Sequence, residues 1–157
     1  MSPRRVTKTL SSEAETARYA AALGAQLREG NTILLSGPVG AGKTHFARSL
    51  IQAILTEPED VPSPTFTLVQ TYDTRQGPLW HADLYRVGST LEIEELGLAE
   101  AFATAICLVE WPDRLGALRP PNALDITLTD GGDEYARVLT ASWTDTGWDA
   151  RVEGDPT

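Results

Sequence analysis

Residues Gly37-Pro38-Val39-Gly40-Ala41-Gly42-Lys43-Thr44 match the pattern G-x-x-x-x-G-K-[ST] at every fixed position. No other feature constrains the fold as much, because this pattern works only as a turn from a strand into a helix. The flanks comply. Thr32-Ile33-Leu34-Leu35-Ser36 is an apolar run that predicts a strand, and Lys43 to Ile54 has the composition of a helix. Glycines let the backbone turn and bring N–H groups close to phosphate oxygens. The helix that follows points its positive end at the same oxygens. In that geometry Lys43 reaches the β- and γ-phosphates of a nucleotide, and the Thr44 hydroxyl is placed to hold Mg²⁺. The bland alternative is a glycine-rich turn that binds nothing. It leaves the strand before and the helix after without a reason.

A chain of 157 residues is expected to form one domain and needs no disulfide or structural metal. Its single cysteine, Cys107, sits within Ile106-Cys107-Leu108-Val109 and reads as a core thiol. One cysteine makes no internal disulfide, which suits a reducing compartment. No apolar stretch approaches the length of a membrane span. Met1-Ser2-Pro3-Arg4-Arg5 has arginines but no hydrophobic segment behind them, so no secretory signal is read and a cytoplasmic location is expected. The formal net charge is −9, with thirteen Lys and Arg scattered along the chain. Direct gripping of nucleic acid needs a basic patch. Any RNA connection is therefore expected to run through a partner protein.

Ser12-Glu13-Ala14-Glu15 fits the S-x-x-E capping box, and Ala20, Leu23 and Leu27 continue a helix over 13–28 that ends at Gly30-Asn31. A proline-rich loop follows from Pro58 to Pro64. Residues 65–72 and 79–85 read as two strands joined through Asp73 to Gly77, an antiparallel hairpin. Residues 90–104 read as a helix, Ala105 to Val109 as a buried parallel strand, and 123–129 and 136–141 as late strands after Pro120-Pro121. The Gly- and Asp-rich tail from Thr144 is expected to be loose. These elements predict an α/β phosphate-loop fold with a mixed central sheet flanked by helices. The ordered core would span about residues 12–141, with the loop at the carboxyl edge of the sheet.

Phosphoryl chemistry needs a carboxylate near the metal. Glu110 ends the run Ile106-Cys107-Leu108-Val109, and Asp83 ends a strand-like stretch before Leu84-Tyr85-Arg86. Each is a candidate for the metal or the attacking water, and each could equally be an acidic residue capping a strand at the surface. Ser63-Pro64-Thr65 is a stiff, hydroxyl-bearing turn of the kind that senses a γ-phosphate, or else a plain loop entering a strand. His45 follows the phosphate loop. His45 and His81 are the only histidines and make no zinc pattern. Trp111 beside Glu110 either walls the nucleotide or belongs to the core. The guanine-reading N-K-x-D is absent, which favours ATP, and no Arg-rich kinase lid is visible.

Four blocks together resemble one family. They are residues 37–44; Val61-Pro62-Ser63-Pro64-Thr65-Phe66-Thr67-Leu68-Val69; His81-Ala82-Asp83-Leu84-Tyr85-Arg86; and Glu110-Trp111-Pro112-Asp113-Arg114-Leu115. The family is that of the bacterial tRNA threonylcarbamoyladenosine biosynthesis ATPases, TsaE or YjeE. The first block is common to many nucleotide-binding proteins, and the S-P-T-F and H-x-D-L-Y-R blocks are far more specific. The resemblance runs from about Ser12 to about Ala141. It implies a small ATPase with a mixed sheet that supports threonylcarbamoylation of adenosine 37 in tRNA by binding the TsaD–TsaB pair. It implies ATP and Mg²⁺ as cofactors, Lys43 and Thr44 as the phosphate and metal residues, and Ser63, Pro64 and Thr65 as a switch-like segment. Asp83 and Glu110 would be the acidic residues near the metal and water. Pro38 and His45 depart from the residues usual in the family. Pro38 lacks a backbone N–H but precedes the phosphate-cradling stretch, so little loss is expected there.

Two rivals share the phosphate loop. A small-molecule or nucleotide kinase would need an acceptor pocket and a lid, for which little chain remains. A nucleotide-binding interaction module would hydrolyse ATP negligibly alone.

Overall fold

The computed structural model describes residues 4–38, 40–62, 64, 68–132 and 134–153. The strands are β1 (Arg4–Leu10), β2 (Thr32–Ser36), β3 (Val69–Thr74), β4 (Gly77–Asp83), β5 (Ile106–Glu110), β6 (Leu124–Asp130) and β7 (Arg137–Trp143). The helices are α1 (Glu13–Gly24), α2 (Lys43–Ile54), α3 (Thr90–Glu95), α4 (Leu98–Thr104) and α5 (Asp149–Glu153), with 3₁₀ segments at Pro112–Leu118 and Thr146–Trp148. One sheet runs in the order β1-β7-β6-β2-β5-β4-β3. Strands β6, β2, β5 and β4 are parallel neighbours. Hairpins β3–β4 and β6–β7 and the β1–β7 pair add antiparallel edges, so the sheet is mixed as expected.

The period-two alternation of a strand sends side chains to two separate cores. Ile33, Leu35, Leu79, Ile106, Leu108, Ile126 and Leu128 face α1 and α2. Leu34, Ala82, Cys107 and Val109 face α3 and α4. Helix α2 buries Phe46, Ala47, Leu50, Ile51 and Ile54, a helical stripe against the first core. Helix α1 starts where Ser12 accepts a hydrogen bond from Glu15 N, as the capping box requires, but the Glu15 carboxylate accepts from Ser11 N rather than Ser12 N. It ends at Gly24, earlier than expected. There α1 crosses α2 so closely that a Cβ on Gly24 would sit 3.0 Å from Leu50 Cγ.

Strand β2 and helix α2 fall on their expected residues. Strand β3 runs Val69–Thr74, later than the expected 65–72, and residues 65–67 lie outside the described residues. The expected helix over 90–104 is two helices, broken at Gly97, whose φ of 82° lies in the left-handed region. The tail is not loose from Thr144. Trp148 is 2 % exposed and Val152 1 %, and the Trp148 indole N–H donates to Asn122 O at 2.8 Å. Two tryptophans anchor it, because Trp143 likewise donates to Asp149 Oδ1 at 2.7 Å. Strand β1, which precedes the expected ordered core, pairs with β7 along its whole length.

Candidate functional site

Parallel register brings three strand ends to one edge. Leu35 of β2 stands opposite Glu110 of β5, and Glu110 stands opposite Asp83 of β4. Residues opposite one another in neighbouring strands share a face, so both carboxylates turn toward α2. The loop Gly37–Gly42 leaves β2 at the same edge, where ligands of open α/β sheets bind. Two glycines there are required. A Cβ on Gly37 would lie 2.2 Å from the Leu128 carbonyl oxygen, and Gly42 at φ 93° leads into α2 with no side-chain cap.

A cavity of about 420 Å³ opens between these elements, lined by Gly40, Gly42, Lys43, Thr44, His45, Asp83, Tyr85, Glu110 and Trp111. Lys43 Nζ donates to Gly37 O at 2.5 Å and Pro38 O at 3.0 Å, and stands 4.3 Å from the Trp111 ring centroid. Burial lowers its pKa, while the Glu110 and Asp83 carboxylates hold the proton on. Thr44 Oγ1 donates to Glu110 Oε1 at 3.3 Å. Asp83 Oδ1 accepts from Tyr85 N at 3.0 Å. Trp111 has φ 59°, a left-handed conformation uncommon for a bulky residue, and sits directly after Glu110. Its ring packs both on the second core and against Tyr85, 4.9 Å between centroids.

The structure therefore brings together Lys43, Thr44, Asp83, Glu110 and Trp111, five of the expected site residues. Gly40, Gly42 and His45 also line the cavity, although the His45 ring reaches Glu13 O in the first turn of α1, Nε2 to O 3.1 Å. Ala41 is buried and does not line this cavity; Ala41 N donates to Pro38 O at 3.1 Å. Val39, Ser63 and Thr65 lie outside the described residues.

Three residues of the site were not singled out from the sequence. His81 Nε2 is 2.7 Å from Glu110 Oε2, with both side chains buried. Tyr85 edges the cavity. Arg137 of β7 donates through Nε to Ala41 O at 2.9 Å and through a terminal nitrogen to Gly40 O at 3.4 Å, bracing the phosphate loop from behind. Only the H-x-D-L-Y-R block could have pointed to His81 and Tyr85. Arg137 has no local signal, because its contact with Ala41 spans 96 residues.

The donors facing the cavity are hard oxygens, two carboxylates and one hydroxyl. That set fits Mg²⁺, which is usually held by one or two carboxylates together with nucleotide phosphates. Among the described residues no group of three or more His, Cys, Asp and Glu forms a metal cage, and no helix is long and apolar enough to cross a membrane. At the amino ends of the parallel strands, a separate groove of about 820 Å³ is lined in part by Arg28, Arg75 and Arg151. The fold thus gathers arginines that are far apart in the sequence.

A strand, glycine loop and helix on a mixed sheet, with carboxylates at the neighbouring strand ends, define an α/β protein of the phosphate-loop NTPase fold. Within that class, residues 10–139 match the model of the family described as threonylcarbamoyl adenosine biosynthesis protein TsaE, and the chain belongs to that family. It is 42% identical over 119 residues to the tRNA threonylcarbamoyladenosine biosynthesis protein TsaE of Rickettsia bellii, covering 76% of this chain and 83% of the relative. The Bacillus subtilis protein of the same name is 36% identical over 125 residues, covering 79% and 77%. The crystal structure of Bacillus subtilis YdiB superposes with a TM-score of 0.79 at 27% identity, covering 98% of this chain and 95% of that one.

Proposed function

We propose that this chain is an ATPase that supports threonylcarbamoyladenosine formation in tRNA by docking on the TsaD–TsaB pair and letting it turn over. The observation that carries the reading is the convergence of Lys43, Thr44, Asp83 and Glu110 on one cavity at the carboxyl ends of three adjacent strands. Family membership supports the tRNA-modification role. The absent N-K-x-D supports ATP over GTP.

Backbone N–H groups of Gly40 to Thr44 would hold the phosphates, and Val39 belongs to the same loop motif. Lys43 would exchange the carbonyls of Gly37 and Pro38 for β- and γ-phosphate oxygens. Thr44, Glu110 and Asp83 would hold Mg²⁺, which when bound neutralises charge developing on the transferred phosphoryl group. A carboxylate left free of the ion would orient the attacking water. Trp111 and Tyr85 would wall the site and reduce access of bulk water. Ser63 and Thr65 are proposed to report the γ-phosphate to the partner. Docking should then depend on ATP, and Thr65→Ala should weaken that dependence.

Transfer RNA is proposed to reach this chain only through the complex. The net charge is −9. In the arginine groove, Arg151 is bound to Asn31 Oδ1 at 2.8 Å and Arg75 to Ala53 O. The test is ATP hydrolysis by the chain alone and with the TsaD–TsaB pair, beside a titration of labelled tRNA at physiological salt. Hydrolysis raised by the pair, with weak tRNA binding by the chain alone, supports the reading. Transfer of phosphate from ATP to a metabolite, or tight tRNA binding by the isolated chain, would replace it.

A further inference from the structure

His81 is fully buried on β4, two residues before Asp83 and on the same face of the sheet. Leu79, two residues earlier on that face, is plain core. A histidine placed there must give up water around two ring nitrogens, which is costly unless the nitrogens are used. Nε2 is used, 2.7 Å from Glu110 Oε2. Nδ1 is buried without a hydrogen-bond partner among the described residues. Among the described residues the ring's one polar contact is with the carboxylate. A carboxylate oxygen accepts, so the contact puts a ring proton on Nε2.

The other oxygen of the same carboxylate, Oε1, accepts from Thr44 Oγ1 at 3.3 Å. Glu110 is thus held from both sides: Oε2 toward the core by His81, and Oε1 toward α2 and the phosphate cavity by Thr44. Rotation of a carboxylate exchanges its two oxygens, and an anchor on one of them fixes which oxygen the other partners meet. Loss of such a partner behind a ligating group typically costs activity although nothing touching the substrate has changed.

We propose that His81 is a positioning residue for Glu110: its Nε2–H holds Oε2, so that Oε1 stays turned to Thr44 and the phosphate cavity. This rests on the reading of Glu110 as a metal- or water-facing carboxylate, and Glu110→Gln is carried alongside so that the two can fail separately. The variants are His81→Ala, His81→Gln, whose amide nitrogen reaches where Nε2 stood, and His81→Asn, whose amide falls short. Partner-stimulated hydrolysis by the full chain should lose about 10- to 100-fold in kcat in His81→Ala, with KM for ATP changed far less. His81→Gln should recover most of it and His81→Asn little. His81→Ala combined with Glu110→Gln should be no worse than Glu110→Gln alone, since both act through one group.

A readout independent of turnover is the long-range ¹H–¹⁵N spectrum of the imidazole. It should show Nε2 protonated, and that fixed proton position should be lost in Glu110→Ala. Unchanged kcat in His81→Ala while Glu110→Gln is crippled would overturn this inference and leave the parent reading standing. Full activity of Glu110→Gln would overturn both. Equal activity of His81→Gln and His81→Asn, or losses that multiply in the double variant, would also overturn the positioning role. If His81→Ala does not fold, the Gln and Asn pair decides.

Discussion

The middle and the carboxyl end of the same three strands follow opposite rules. In the middle, Ile33, Leu34, Leu79, Ile106, Cys107, Leu108 and Val109 are fully buried and apolar, and the three strands are paired in the parallel ladder. One or two residues further on, the same sheet holds Asp83 5 % exposed and Glu110 2 %, beside Lys43 at 6 %. Backbone strain gathers there too, at Trp111 with φ 59° and Leu68 with φ 68°. Buried charges are expensive and weak evidence for stability, since their desolvation offsets their attraction. The middle of the sheet therefore supplies stability that the ends consume. The proposed nucleotide and its metal would give the polar groups at the ends the partner that offsets this cost.

This contrast is open to attack from both sides. The largest effect expected is on stability, in the middle. Leu108→Ala should cost about 2–5 kcal/mol in denaturant unfolding, since it leaves a cavity in a close-packed core. The fraction that remains folded should still bind ATP. At the ends, Asp83→Ala and Glu110→Ala should each cut partner-stimulated hydrolysis by about 100- to 1,000-fold with measurable ATP binding retained, because the loop amides would still hold the phosphates. The unfolding midpoint of Asp83→Ala should move little, whereas Glu110→Ala, which strips buried His81 Nε2 of its partner, should lose about 1–3 kcal/mol. A large destabilisation in Asp83→Ala would place that carboxylate with the core. Lys43→Ala should weaken ATP affinity by roughly 100-fold in calorimetry, the value of one strong charge-assisted contact, without lowering the melting temperature of the nucleotide-free protein.

The smallest effect belongs to Cys107, in the middle strand β5. Burial pushes its thiol up to about 12 from an ordinary value of 9.0. The folded pKa lies above the unfolded one. The stability linked to this group is therefore fully present below about pH 9 and is lost as pH rises toward 12. Cys107→Ala should flatten that alkaline decline, and a thiol reagent should label the wild-type protein only as it unfolds. Rapid labelling of the native chain would show that this stretch of β5 is not closed core.

Legibility follows the same divide. Strand β2 and helix α2 could be placed residue for residue, because a continuous apolar run and a fixed glycine loop leave one solution. Glu110 and Asp83 could be named as strand-ending carboxylates, but their shared face depends on the order β2–β5–β4, which no local spacing encodes. Thr44 and Glu110 meet across 66 residues of chain. Strand β1 carries no local signal of its place, because its partner β7 lies at the other end of the sequence. The tail from Thr144 reads as loose by its Gly and Asp content, yet Trp148 within it and Asp149, which accepts from Trp143 of β7, tie it down. The break at Gly97 has a local signal, a glycine inside a helical pattern.

The most direct test of the account is a crystal structure of this chain with Mg²⁺ and a non-hydrolysable ATP analogue. The phosphates should be cradled by the backbone of residues 40–44. Lys43 Nζ should have moved from the carbonyls of Gly37 and Pro38 to the β- and γ-oxygens, and the ion should sit against Thr44 Oγ1 with Asp83 or Glu110 within reach. A nucleotide bound elsewhere, or Lys43 still tied to its own loop with the phosphates in place, would contradict it.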